Sequence, residues 1–195
     1  MQRFDDAIAS ERAAFRALSA TEERGRNLAT RVTLEQAMRR EIEPSLVNLS
    51  ETERAAASVA IWQRIEQVDA ANTTYVRSIL PSDGWFKFRR DGVDVSRQAW
   101  LIVQHSPDAA FRRTVAARMQ HLVASGDASG ADFALIYDRA ERADGRPQLY
   151  GSQMTCVAGR WQPAQTLDPE NLDRRRADMG LQPMAEYMKN FEGRC

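Results

Sequence analysis

Residues 96–105 read S-R-Q-A-W-L-I-V-Q-H, and this stretch restricts the fold more than any other. On a helix, at about 100° per residue, Trp100, Leu101, Ile102 and Val103 point in four well-separated directions, which leaves no face for water. The rest of the chain is therefore expected to wrap around a central buried helix. Gln98, Gln104 and His105 travel with it, and each one left without a hydrogen-bond partner inside a protein costs about 1 to 3 kcal/mol. Partners for them must come from elsewhere in the sequence.

With 195 residues, the chain is long enough for one domain with a sizeable core. Hydrophobic residues at 43% and charged residues at 28% exclude wholesale disorder and point to a soluble protein. No apolar run approaches the roughly 18 residues that span a bilayer, so no membrane partner is expected. The opening M-Q-R-F-D-D-A-I lacks a signal-peptide layout. A cytoplasmic location is the expectation, with export open should a leader have been removed. Basic and acidic residues balance at 27 each, which gives no electrostatic footprint for nucleic acid. The basic residues are Arg apart from Lys87 and Lys189, a bias best read as compositional. Cys156 and Cys195 are too few and too far apart for a disulfide framework, and with only His105 and His121 beside them no metal site or cofactor is expected.

Taken in order, residues 1–44 form an amphipathic helical arm. One stripe runs through Phe4, Ile8, Phe15 and Leu18; a second, restarting at Thr21, runs through Leu28, Val32, Leu34, Met38 and Ile42 to a stop at Pro44. The arm packs on the core or serves as a homodimer surface. Residues 45–195 form an α-rich core. Ser50 and Glu53 have capping-box spacing before a long helix ending at Pro81, on which Asp69 and Asn72 share a face. The alternation of Gly84–Phe88 with a turn at Asp91-Gly92 predicts a short hairpin, and Ser106-Pro107 the cap of the next helix. Ser129 caps another, with Asp138 at the margin of its apolar face. A period-two pattern at 147–163 predicts a β-hairpin, with Gly151 as a bulge. Arg174, Arg175 and Arg176 read as a solvated or salt-bridged run. The expected architecture is thus mainly α: a single helical domain with one or two small antiparallel β-hairpins.

The strings D-A-A-N-T at 69–73, Q-A-W-L-I-V-Q-H at 98–105, Y-D-R at 137–139 and P-Q-L-Y-G-S-Q at 147–153, with D-P-E-N-L-D-R-R-R and G-L-Q-P-M-A-E-Y further on, resemble a bacterial family, a domain of unknown function. E-Q-A-M-R at 35–39 is a weaker match. The resemblance spans roughly residues 34–187. It departs at Phe86, where the family often has Pro, and at Ser152, where Thr is usual. It implies a shared fold and a shared set of polar residues, and it implies no reaction.

Those polar residues are more numerous than packing requires. His105 is the one side chain whose ordinary pKa lies near neutrality on a half-buried helix end. If the groups converge, His105 is the general acid or base and Asp138 orients it, while Gln104, Arg139, Gln148, Tyr150, Gln153, Asp69 and Asn72 bind a small polar ligand. The sequence lacks phosphate-binding loops, serine-hydrolase elbows and zinc-protease helices. The function expected is therefore hydrolase-like acid/base chemistry on a small ligand. The alternative is a non-catalytic interaction or dimerisation module, in which the same residues form a structural network.

Overall fold

The computed structural model describes residues 1–18, 23–193 and 195, so the helix restart read at Thr21 lies outside the described residues. Helix makes up 68% of the structure, and among the described residues strand is confined to one hairpin, so the fold is mainly α as the periodicity predicts. The helices are α1 (Gln2–Ala7), α2 (Ala9–Arg16), α3 (Arg24–Arg40), α4 (Ile42–Leu46), α5 (Glu51–Ile79), α6 (Phe88–Asp91), α7 (Val93–His105), α8 (Ala109–Val123), α9 (Gly130–Ala143), α10 (Leu172–Asp178) and α11 (Met184–Met188). The strands are β1 (Met154–Val157) and β2 (Arg160–Pro163). The chain divides into two compact units, Met1–Leu80 with Arg97–Pro107, and Pro81–Ser96 with Asp108–Cys195.

The first unit is built on α3 and α5. Glu23 caps α3 by accepting from the Gly25 and Arg26 amides at 2.8 and 2.9 Å, placing negative charge at the helix N-terminus. The predicted capping box of Ser50 and Glu53 opens α5, and Leu80, extended at ψ 129 ahead of Pro81, closes it. The core gathers Phe4 and Ile8, then Leu34, Ala37 and Met38 from α3, Leu46 from α4, and Ile61 and Ile65 from α5. Each large side chain so buried contributes about 1.5 to 3 kcal/mol. Within 96–105 every residue but Arg97 is buried or half-buried, so the helix lacks a full solvent face as the apolar run requires but lets one Arg reach water, and α7 begins earlier than expected, at Val93.

In the second unit three expectations are corrected. The hairpin expected at 84–95 is absent among the described residues, replaced by a turn and the short helix α6. Adjacent Trp85 and Phe86 are both fully buried, in edge contact at 5.5 Å, whereas a two-faced strand would send one of them to water. The cap of α8 is Asp108, accepting from the Phe111 amide at 2.8 Å, and not Ser106; an ionised acceptor at the correct spacing outcompetes a hydroxyl two residues earlier. Ser129 caps α9 as expected. The later hairpin forms with Met154 opposite Pro163 and Val157 opposite Arg160, about a turn in which Ala158 and Gly159 both have positive φ.

The third correction concerns the cysteines. Cys156 in β1 is disulfide-bonded to Cys195, with Cα atoms 5.8 Å apart, because separation along a chain says nothing of separation in space. The bond closes a loop of 39 residues, which in a chain-entropy account stabilises by about 4 kcal/mol. Reduction, or Cys195→Ser, is therefore expected to lower the stability of the second unit by up to about 4 kcal/mol. Urea unfolding with and without dithiothreitol measures it, and superimposable curves would remove the bond from the account of stability.

Candidate functional site

Along α3, Asn27, Arg31, Glu35 and Arg39 recur every fourth residue and so form one stripe. On α5, Asp69, Asn72 and Thr73 form another at i, i+3 and i+4. The stripes meet in antiparallel order. Arg31 donates to Asn72 Oδ1 at 3.1 Å, Asn72 Nδ2 reaches Glu35 Oε2 at 3.4 Å, and Arg39 donates to Asp69 Oδ2 at 2.7 Å. Arg31 is braced further by Asn27 Oδ1 at 2.7 Å and by the Tyr75 ring, 4.1 Å below its guanidinium.

His105, the last residue of α7, completes the group. Its Nδ1 lies 3.0 Å from Glu35 Oε1. Glu35 has no solvent exposure, whereas the imidazole is 16% exposed, and among the described residues no hydrogen bond engages its Nε2. A carboxylate on Nδ1 selects the tautomer that carries its proton there and leaves the Nε2 lone pair outward. Burial pushes the Asp69 carboxyl above the usual carboxylate range; Arg39 opposes that rise, the Glu35 charge adds to it and His105 again opposes it. Asp69 Oδ1 is buried without a hydrogen-bond partner.

The other residues singled out from sequence lie in the second unit and are occupied differently. Asp138, with no exposure, accepts from the backbone amides of Leu149 at 2.8 Å, Tyr150 at 3.0 Å and Ser152 at 2.9 Å. The carboxylate on the imidazole is thus that of Glu35, and Asp138 gathers a loop. Gln148 folds into the same loop: its amide nitrogen donates to the carbonyls of Gln153 and Ala164, each at 3.0 Å, and its oxygen accepts from the Gln153 amide at 2.8 Å. This inward turning of successive amides is why residues 148–153 do not extend the hairpin as the period-two pattern predicts. Gly151, at φ +67, has Leu172 and Met184 atoms 3.2 Å from where a Cβ would stand. The Arg run is corrected at Arg176: Arg175 forms a salt bridge of the expected kind, with Asp168 at 3.1 Å, whereas Arg176 is buried. Arg175 donates to the Leu149 carbonyl at 2.9 Å, and Arg176, 1% exposed, donates to the Tyr150 carbonyl at 2.7 Å. The Tyr150 ring packs edge-on to Phe133 and Tyr137, and Arg139 reaches Gln153 Oε1 at 3.3 Å. Gln104 is buried in the first unit, beside His105 in sequence.

The pattern defining a family of unknown function, DUF6624, matches residues 26–194 and so takes in α3 but for its first two residues, α5, the end of α7 and the whole Asp138 loop. The chain belongs to DUF6624. No curated protein matches it, and neither does any solved structure. Among the described residues no helix is long and apolar enough to cross a membrane.

In this DUF6624 chain the functional candidate that residue-by-residue reading missed is Glu35, together with Arg31 and Arg39. The available signal was the four-residue spacing from Asn27 to Arg39, which marks a polar face on a helix that also supplies Leu34 and Met38 to the core.

Two outcomes follow from these contacts. Asp138→Ala leaves the buried amides of Tyr150 and Ser152 and the half-buried amide of Leu149 without an acceptor, a buried one costing about 1 to 3 kcal/mol, so a loss of several kcal/mol and of amide protection at 149–152 is expected in hydrogen exchange; unchanged protection would contradict the anchoring role. For Asp69 the sign is set by a folded-state pKa raised above the unfolded one. Its favourable contribution is complete below the ordinary Asp pKa and declines as pH rises through the raised value. As pH climbs from about 4, near the unperturbed carboxylate value, the unaltered chain is therefore expected to lose stability relative to the Asp69→Asn variant. A flat difference in urea midpoints between acid and neutral pH would contradict it.

Proposed function

We propose that the Glu35–His105 pair is an acid/base site acting on a small polar ligand, by activating water or moving a proton. The observation that carries this reading is the asymmetry of the pair: a fully buried carboxylate on Nδ1 and a partly exposed ring with Nε2 unengaged among the described residues. Glu35 holds the ring in one tautomer and stabilises the imidazolium that forms when Nε2 accepts a proton. Asp69, Asn72 and Gln104 are the ligand-facing candidates around it, and the positive charges of Arg31 and Arg39 balance the two carboxylates. Such a pair without a nucleophile suits hydrolysis or isomerisation through proton transfer, with no covalent intermediate on the protein.

A second reading applies to the other residues. The full matching of Asp138 and Gln148 by backbone groups favours a structural network for that loop, so Asp138, Gln148 and Tyr150 are assigned to holding the loop and not to chemistry. Use of residues 1–44 as a homodimer surface stays a separate proposal.

The test combines ligand screening with variants. A small polar metabolite present at a hundredfold excess over its dissociation constant is expected to raise stability by about 2.7 kcal/mol. The gain should shrink in His105→Gln, and turnover of any hydrolysable hit should fall by about 10²- to 10⁴-fold in His105→Gln and Glu35→Gln. Nitrogen NMR of the imidazole provides an independent check, since the reading requires the Nδ1–H tautomer of neutral His105. An Nε2–H tautomer, or stabilisation and turnover untouched by both substitutions, would end it.

A further inference from the structure

The second unit contains a hollow that the Glu35–His105 reading leaves unused. Its lining includes Arg139 of α9, Ser152 and Gln153 ahead of β1, Trp161 of β2, and Tyr187 and Phe191 from the C-terminal segment. The Phe191 ring lies 6.1 Å from that of Trp161 and 5.2 Å from that of Tyr187, so one side is aromatic. Trp161 Nε1, a group that can only donate, is buried with no hydrogen-bond partner. Arg139 adds positive charge while giving Nε to Gln153 Oε1, and none of the lining residues is acidic. Aromatic walls, an unmatched indole donor and a positively charged lining fit a flat ligand that bears an anionic acceptor.

We propose that this hollow binds a flat carboxylate, aromatic or conjugated, and that the disulfide controls its affinity. The plane of the ligand packs on Trp161 and Phe191, and its carboxylate supplies the acceptor that the indole N–H lacks. The wall bearing Tyr187 and Phe191 is held in place from two sides. Tyr187 donates its hydroxyl to the Ser152 carbonyl at 3.0 Å, and Cys195, just beyond Phe191, is bonded to Cys156 in β1. A dithiol delivers two electrons and two protons to the cystine, giving two thiols while closing into its own disulfide. The wall then keeps the Tyr187 bond, the ring contacts, the Arg176 guanidinium 4.8 Å over the Tyr187 ring and the Met184 amide on Asp173, but loses its covalent tie to β1, and affinity for the anion falls. Reciprocity requires the bound anion to resist that reduction by the same factor.

The experiment titrates naphthalene-2-carboxylate into the full chain and follows the Trp161 indole N–H by proton–nitrogen NMR, with Trp161→Phe assigning the signal. Expected are a saturable shift in the oxidised protein, no such shift with 2-(aminomethyl)naphthalene, a cation on the same ring system, and affinity lower by about tenfold or more after dithiothreitol. Phe191→Ala removes part of the wall while leaving the disulfide intact, and it should weaken binding while the amides of α9 keep their positions. An unmoved Trp161 signal in the oxidised chain, equal response to the cation, or the same affinity before and after reduction would overturn the proposal.

Discussion

Glu35 is a carboxylate with no access to water, and such a group is tolerated only when its lone pairs are answered by donors. The donors come from two other helices, Asn72 of α5 and His105 at the end of α7, with Gln36 adding a third at 3.2 Å. This requirement fixes the register of α3 against α5. Shifting α3 by one residue puts a side chain about 100° around the helix in Glu35's place and takes the acceptor away from Asn72 and His105, and the same shift of α5 removes Asn72. The same registration brings Leu34, Ala37 and Met38 to the core that also receives Phe4, Ile61 and Ile65. Apolar burial supplies the driving force in the first unit, and the buried carboxylate specifies which packing is accepted.

The second unit solves a similar problem differently. Asp138 is as buried as Glu35, but its partners are three amides of one loop, and the carbonyls of that loop are taken in turn by Arg175 and Arg176. Each of those amides, left buried and unmatched, would cost about 1 to 3 kcal/mol. Burial still pushes the Asp138 carboxyl upward, against the pull of the Ser152, Tyr150 and Leu149 amides. The difference between the two acids carries the functional argument: one holds a loop closed, while the other holds an imidazole with a nitrogen to spare.

Much of the architecture is legible in the sequence because its signals are local. The capping box at Ser50, the cap at Ser129, the stop at Pro81 and the turn at Ala158-Gly159 each depend on a few neighbouring residues, and each forms where expected. The failures have equally specific causes. Alternation around Trp85 reads as a strand because periodicity does not reveal that both of two adjacent aromatic rings will be buried. The Gln148–Gln153 stretch alternates as a strand would, yet a carboxylate on another element draws its amides inward. Arg176 carries the pattern of a solvated face and is instead buried against the Tyr150 carbonyl, while Arg175 adds a bond to the Leu149 carbonyl to its salt bridge with Asp168.

The linear order of residues settled a mainly helical chain and the largely buried character of 96–105, Arg97 apart, and it marked His105, Asp69 and Asn72 as polar groups in need of partners, because period, capping and composition act over a few turns of backbone. It could not settle who those partners are. His105 and Glu35 stand 70 positions apart and Cys156 and Cys195 stand 39 apart, so their meeting depends on how whole helices and loops pack. A hydrogen bond or disulfide of that kind leaves no mark on the residues between its ends, and only the folded arrangement brings it into being.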